Sequence, residues 1–124
     1  MSIFEDIRDH KTDVSLVYQD AYVTAFEDKY PNAPIHILII PNKKMESLDD
    51  ITIEDEIYLG KILITASKIA KIKNINESGY RLITNCNKDG GQEIPYLHFH
   101  LIGGAPLGPM INLPKASKKI INEN

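Results

Sequence analysis

Short apolar runs broken by turn-forming residues dominate this chain, and one long segment repeats its apolar residues at helical spacing. Val14, Leu16 and Tyr18 alternate with polar or small residues, the period-two mark of a strand with one buried face. Asp20-Ala21 predicts a short turn, and Tyr22 to Phe26 predicts the hairpin partner. Ile35 to Ile40 is apolar except for His36, which predicts a central strand buried on both faces. Pro31, Pro34 and Pro41 bound it, since proline cannot join a central ladder. Tyr80 to Thr84 and Leu97 to Ile102 predict two more strands, separated by Asn85-Cys86-Asn87-Lys88-Asp89-Gly90-Gly91.

Ile51 to Ile72 is the long helical signal. Tyr58, Ile62, Thr65 and Ile69 form one stripe, and Leu59, Leu63, Ala66 and Ala70 form the stripe beside it. Thr52 can cap the first amides, and Asn74 to Gly79 stop the helix. Ser2 followed by Glu5 ahead of Ile7 resembles a capped turn and predicts a short N-terminal helix. Strands, one long helix and then strands again indicate an α+β fold, with a largely antiparallel sheet and the helix packed across it. Strict βαβ alternation is missing, which argues against a doubly wound nucleotide fold.

Composition narrows the class. The 124 residues suit a single domain, residues 1–124, with a polar, lysine-rich tail at 112–124. A net charge of −3 argues against a phosphate-backbone binder, so no nucleic-acid partner is expected. The single cysteine, Cys86, excludes Cys₂ and Cys₄ zinc sites; it reads as a buried or incidental thiol. No apolar run approaches the roughly 20 residues of a membrane span, and the acidic N-terminus does not read as a signal peptide. A soluble, cytoplasmic protein without a membrane partner is the expectation.

The chemistry concentrates between Gly90 and Gly104. On a strand, Tyr96, His98 and His100 would share one face, with Leu97, Phe99 and Leu101 on the other, in the core. Two imidazoles roughly 6.5–7 Å apart along a strand can reach one phosphate, one as nucleophile and the other as proton donor. Gly90-Gly91 can bring backbone amides to an anion, and Asn85 can add a neutral donor. On spacing alone, three readings stand beside one another: this anion site, a metal site using His36, His98 and His100, and a structural pair of histidines. His36 reads as a core histidine bonded to backbone or to an acid, and Asp28 as a turn cap or a ligand.

These segments resemble the histidine-triad (HIT) family, and within it the Hint branch of purine nucleoside phosphoramidases. The resemblance runs from Ile3-Phe4 through Ala25-Phe26-Glu27-Asp28, Pro31-Asn32-Ala33-Pro34-Ile35-His36 and Ile39-Ile40-Pro41-Asn42-Lys43-Lys44. It continues through Gly90-Gly91-Gln92 and His98-Phe99-His100-Leu101-Ile102-Gly103-Gly104 to Pro106-Leu107-Gly108-Pro109-Met110. It implies a HIT-like fold, a homodimer whose sheets join, and cleavage at the α-phosphate of purine nucleoside phosphoramidates or mixed anhydrides. The implied intermediate is a nucleotidyl-histidine, with no metal and no cofactor. The resemblance assigns the nucleophile to His98 and the phosphate-contacting, proton-donating histidine to His100. It assigns phosphate contacts to Asn85, Gly91, Gln92 and Glu93, the ribose hydroxyls to Asp28, and the base surroundings to Phe4, Ile7, Phe26 and Lys29. Two positions depart from the motif: Tyr96 stands where the first histidine belongs, and Lys44 where many members carry another histidine. Tyr96 keeps the main-chain carbonyl that orients the nucleophile. Lys44 is expected near the phosphate, where its charge would tighten a nucleotide but could not relay a proton. A nucleotide-binding protein with weak or lost catalysis is the alternative that these departures imply.

Overall fold

The computed structural model describes residues 3–112; Ser2 and residues 113–124 of the polar tail lie outside the described residues. The elements are α1 (Ile3–Arg8), β1 (Leu16–Gln19), β2 (Val23–Glu27), β3 (Ile35–Pro41), α2 (Glu56–Ile72), β4 (Tyr80–Thr84) and β5 (Phe99–Gly103). They form one five-stranded sheet in the order β1-β2-β3-β5-β4, and every pairing is antiparallel. The fold class is therefore α+β, with β3 at the centre as its apolar run requires.

Period two sorts the side chains onto two faces. Val23, Ala25, Ile37, Ile39, Phe99 and Leu101 turn toward Ile62, Ala66 and Ile69 of α2 and form the main core. The other face is also covered: Phe4 and Ile7 of α1 pack on Phe26, Leu38, Ile40 and Tyr96 in a second cluster. The face expected to be open thus carries a small core of its own, because α1 folds back over it.

Several boundaries differ from the sequence reading: β1 starts at Leu16 and β2 at Val23, and Pro41, expected to bound β3, is its last residue and pairs with Val23. The α-helical part of α2 starts at Glu56, not Ile51, because two single 3₁₀ turns (Leu48–Asp50 and Ile53–Asp55) precede it. Thr52 does cap, but it caps the second of those turns in a reciprocal capping box with Asp55. Leu63, assigned to a core stripe, is 56% exposed; the buried face runs through Ile62, Thr65, Ala66, Ile69 and Ala70. The last strand begins at Phe99 rather than Leu97. Before it, the Leu97 amide donates to Met45 O and the Tyr96 amide to Ile94 O, so both residues leave the ladder.

Asp20 makes the first hairpin turn by accepting from the Tyr22 and Val23 amides. The diglycine bend has a local reason. A side chain on Gly90 would run into the Cys86 backbone, and Gly91 holds a φ of +80°. The Gly91 amide donates to Lys88 O and the Gln92 amide to Asn87 O, so these two close the bend instead of facing an anion.

Candidate active site

His98 sits just before β5, and His100 lies on it one residue past Phe99; their ring centroids are 5.0 Å apart. That is closer than the extended-strand spacing, because His98 lies outside the ladder. Antiparallel register sets Phe26, Leu38, His100 and Ile83 in one row across four strands. His36, two residues before Leu38 on β3, meets His100 diagonally: His36 Nε2 and His100 Nδ1 are 2.9 Å apart. Asp28, just past the end of β2, brings Oδ2 to 3.3 Å from His36 Nε2 while its Oδ1 accepts from the Tyr30 amide. Asp28 is therefore the turn cap that one of its two sequence readings gave, and its second oxygen faces the imidazoles. His36 is buried and bonded to both backbone and acid, as expected of it.

Proton positions follow from the partners. The Asn32 amide donates to His36 Nδ1 at 3.0 Å, so the neutral ring carries its proton on Nε2. That N–H points at His100 Nδ1, which must accept; His100 then carries its own proton on Nε2. His98 Nδ1 lies 2.7 Å from the Tyr96 carbonyl oxygen, which can only accept, so His98 donates from Nδ1 and keeps a lone pair on Nε2. Burial pushes the His98 imidazole below its ordinary pKa, and the Tyr96 carbonyl opposes that only in part. His100 is pushed down to about 4, first by burial and then by the neighbouring His98 and His36 rings. Near neutral pH the pair thus presents one nucleophilic nitrogen and one hydrogen-bond donor, both uncharged.

The same tautomer bears on metal chemistry. Asp28, His36 and His100 each offer an atom within 4.8 Å of the others. With the Asn32 amide on Nδ1, however, His36 turns an N–H rather than a lone pair toward that cluster. The set therefore has the character of a hydrogen-bonded chain and not of a ligand set.

A cavity of about 540 Å³ opens beside these rings. Phe4, Ile7 and Phe26, packed together with Leu38, form its apolar part. Phe4 stacks edge-on to His98 with centroids 5.0 Å apart. Asp28 and Lys29 line the side, and Asn85, Gly91 and Glu93 line it together with His98 and His100. The volume falls in the range that takes a drug-sized ligand.

Three expected site residues lie elsewhere. Gln92 lines a neighbouring groove, where its amide braces Glu46 O and Ile94 O and its Oε1 accepts from the Asn87 amide. Lys44 is not part of the cavity wall; its ammonium lies 3.1 Å from Glu5 Oε1, on α1. Tyr96 does not share an exposed face with the histidines. It is fully buried, and its hydroxyl donates to Pro41 O and lies 3.3 Å from Arg8 Nη1. Asn85 keeps its place at the cavity, with Nδ2 bracing Gly90 O at 2.7 Å. Sequence reasoning missed Leu38, Tyr30, Asn32 and Ile94 in the wall. Leu38 was accessible to it, being two residues from His36 and so on the same face.

An antiparallel α+β protein with a chain of buried and half-buried imidazoles opening on a cavity is the class that fold and site define. The HIT domain model matches residues 10–107, and the chain belongs to that family. It is 49% identical over 110 residues to the purine nucleoside phosphoramidase of Escherichia coli K12, covering 89% of this chain and 92% of that one. An uncharacterized HIT-like protein of Buchnera aphidicola is 52% identical over 106 residues, 86% of this chain and 93% of its own. Among solved structures, a HIT family hydrolase from Clostridium thermocellum superposes with a TM-score of 0.85 at 38% identity, over 89% of this chain and 96% of that one.

Proposed function

We propose that this chain is a hydrolase that cleaves purine nucleoside 5′-phosphoryl compounds, phosphoramidates or mixed anhydrides, at the α-phosphate through a nucleotidyl-His98 intermediate. The observation that carries the reading is the His98 Nδ1 contact to the Tyr96 carbonyl, which aims an uncharged Nε2 lone pair at chemistry inside the cavity. The name of the Escherichia coli relative supports the substrate class. Phe4, Ile7 and Phe26 take the base, and Asp28 accepts from the ribose hydroxyls. Asn85 and His100 donate to phosphate oxygens; Lys29, Gly91 and Glu93 complete the wall.

In the first step, His98 Nε2 forms a bond to phosphorus while the bond to the departing atom breaks. That atom keeps the electron pair. His100, neutral and protonated on Nε2, donates a hydrogen bond to a phosphate oxygen as charge develops there. The chain uses no metal in this step. A departing carboxylate needs no proton, so a mixed anhydride fits an uncharged His100 better than a phosphoramidate, whose departing amine must take a proton from solvent. In the second step water attacks phosphorus, the N–P bond breaks, the water proton goes to solvent, and the nucleoside monophosphate leaves. Two copies of this chain acting as a cytoplasmic homodimer complete the proposal; β4 is an edge strand of the sheet, which leaves it able to join a second one.

The test is direct. The protein is incubated with an adenosine 5′-phosphoramidate, quenched, and searched by mass spectrometry for an acid-labile nucleotidyl adduct. The adduct is expected on His98, and His98→Ala should lose it along with at least about 10³-fold of the turnover. Unchanged turnover in that variant rules the mechanism out. AMP binding without any turnover of the parent identifies a nucleotide-binding protein instead.

A further inference from the structure

We propose that Glu93 is a specificity residue of this site, favouring substrates whose departing group carries positive charge and disfavouring those that bring further negative charge. The proposal rests on the nucleotide reading above and adds to it the chemical class of the departing group.

Glu93 stands on a wall shared by two hollows: the imidazole cavity and a second groove, each of about 540 Å³. Gly91 is the other residue common to both. None of the apolar residues proposed to take the base, Phe4, Ile7 or Phe26, borders the second groove. With the base seated against them, a group departing from the α-phosphorus has the Gly91–Glu93 wall and the groove behind it as its surroundings.

Glu93 is exposed, and among the described residues its carboxylate has no hydrogen bond and no ion pair. Its field already reaches the nucleophile, where it counts among the charges that favour protonated His98. Beyond it the groove carries Glu46 and Asp50 against the one cation Lys88. The imidazoles are neutral, so Glu93, Glu46 and Asp50 against Lys88 leave this wall and groove with an excess of negative charge. A polyphosphate chain leaving along it meets like charge, whereas an ammonium on the departing group meets opposite charge.

The size of the effect is that of one exposed charge pair, about 2- to 5-fold, and it shrinks as salt is raised. The test uses three non-hydrolysable phosphonate analogues of AMP on one linker, ending in an ammonium, a methyl or a carboxylate. Calorimetry on the full chain reads their dissociation constants, and kcat/KM for the matching phosphoramidates gives a second readout. The expected order of affinity is ammonium, methyl, carboxylate, with the ends separated by about 4- to 25-fold at low salt. Glu93→Gln should flatten that order, and Glu93→Lys should invert it. Equal affinities in the parent, or an order untouched by Glu93→Gln, overturns the proposal while leaving the nucleotide reading intact. Failure of all three analogues to bind overturns both.

Discussion

At the scale of single residues, three imidazoles have different work because their hydrogen-bond partners differ. His98 is oriented by a main-chain carbonyl, so the Tyr at position 96 keeps what the proposed nucleophile needs from that position. His36 never reaches the cavity wall, yet it fixes which nitrogen of His100 holds the proton. His36 is thus a positioning residue, acting through His100. His36→Ala should lower kcat by about 10²-fold or more, since His100 then samples both tautomers and one of them turns a lone pair toward the phosphate. KM for the nucleotide should move only a few-fold, because the cavity wall stays in place. Steady-state kinetics beside a thermal melt separates the two roles. A loss in KM with kcat held would assign His36 to binding. Lys44 has no comparable part. Its ammonium is paired with Glu5, and it does not line the cavity.

At the scale of elements, α1 decides whether the second face of the sheet is a surface or a site. Six residues make a marginal helix in isolation, so α1 depends on its contacts. Phe4 and Ile7 bury against Phe26, Leu38 and Tyr96. Arg8 reaches Asn42 O at 3.1 Å and lies 3.3 Å from the Tyr96 hydroxyl, which itself donates to Pro41 O. Tyr96 thus joins α1 to the end of β3 through a buried phenol. Tyr96→Phe keeps the ring and the carbonyl and removes only this junction. It should cost about 1–2 kcal/mol, because the Pro41 carbonyl is left buried without its donor. A Tm lower by a few degrees, with kcat/KM within about threefold of the parent, is the expected pair of results. A large kinetic loss at unchanged Tm would mean that the phenol acts on the nucleophile. The element scale also shows where sequence reading stopped. The strands and the capping threonine could be read because periodicity and cap chemistry are local. The bend at Tyr96 could not, because hydrogen bonds of its neighbourhood to Met45 and Ile94 override an alternating pattern. The covering of the histidine face by α1 is a tertiary fact, and no spacing within Tyr96 to His100 announces it.

At the scale of the whole molecule, the unexplained feature is apolar surface on the solvent side of α2. Ile57, Leu63 and Ile64 are 48%, 56% and 61% exposed, on a helix whose opposite side already fills the core. The sequence reading put Leu63 into a stripe because helical spacing cannot say how wide the buried face is. Exposed apolar residues grouped on one element of a small protein are a feature of association sites. The sheet also has an open edge: among the described residues β4 pairs only with β5, leaving its outer backbone groups available. A second copy of the chain can satisfy both, by pairing edge to edge and by covering the helix. Ile64→Asp is then expected to shift the protein from the mass of two chains to that of one in sedimentation equilibrium at micromolar concentration. Its far-UV circular dichroism should be unchanged, since the position contributes nothing to the core. Glu77→Gln, exposed between α2 and β4, should leave the dimer as it was. A parent that sediments as one chain across this range refutes the dimer, whereas an Ile64→Asp protein that stays dimeric assigns the contact to the β4 edge alone. The two results divide the association between backbone pairing and helix burial, which the exposure of the residues cannot do.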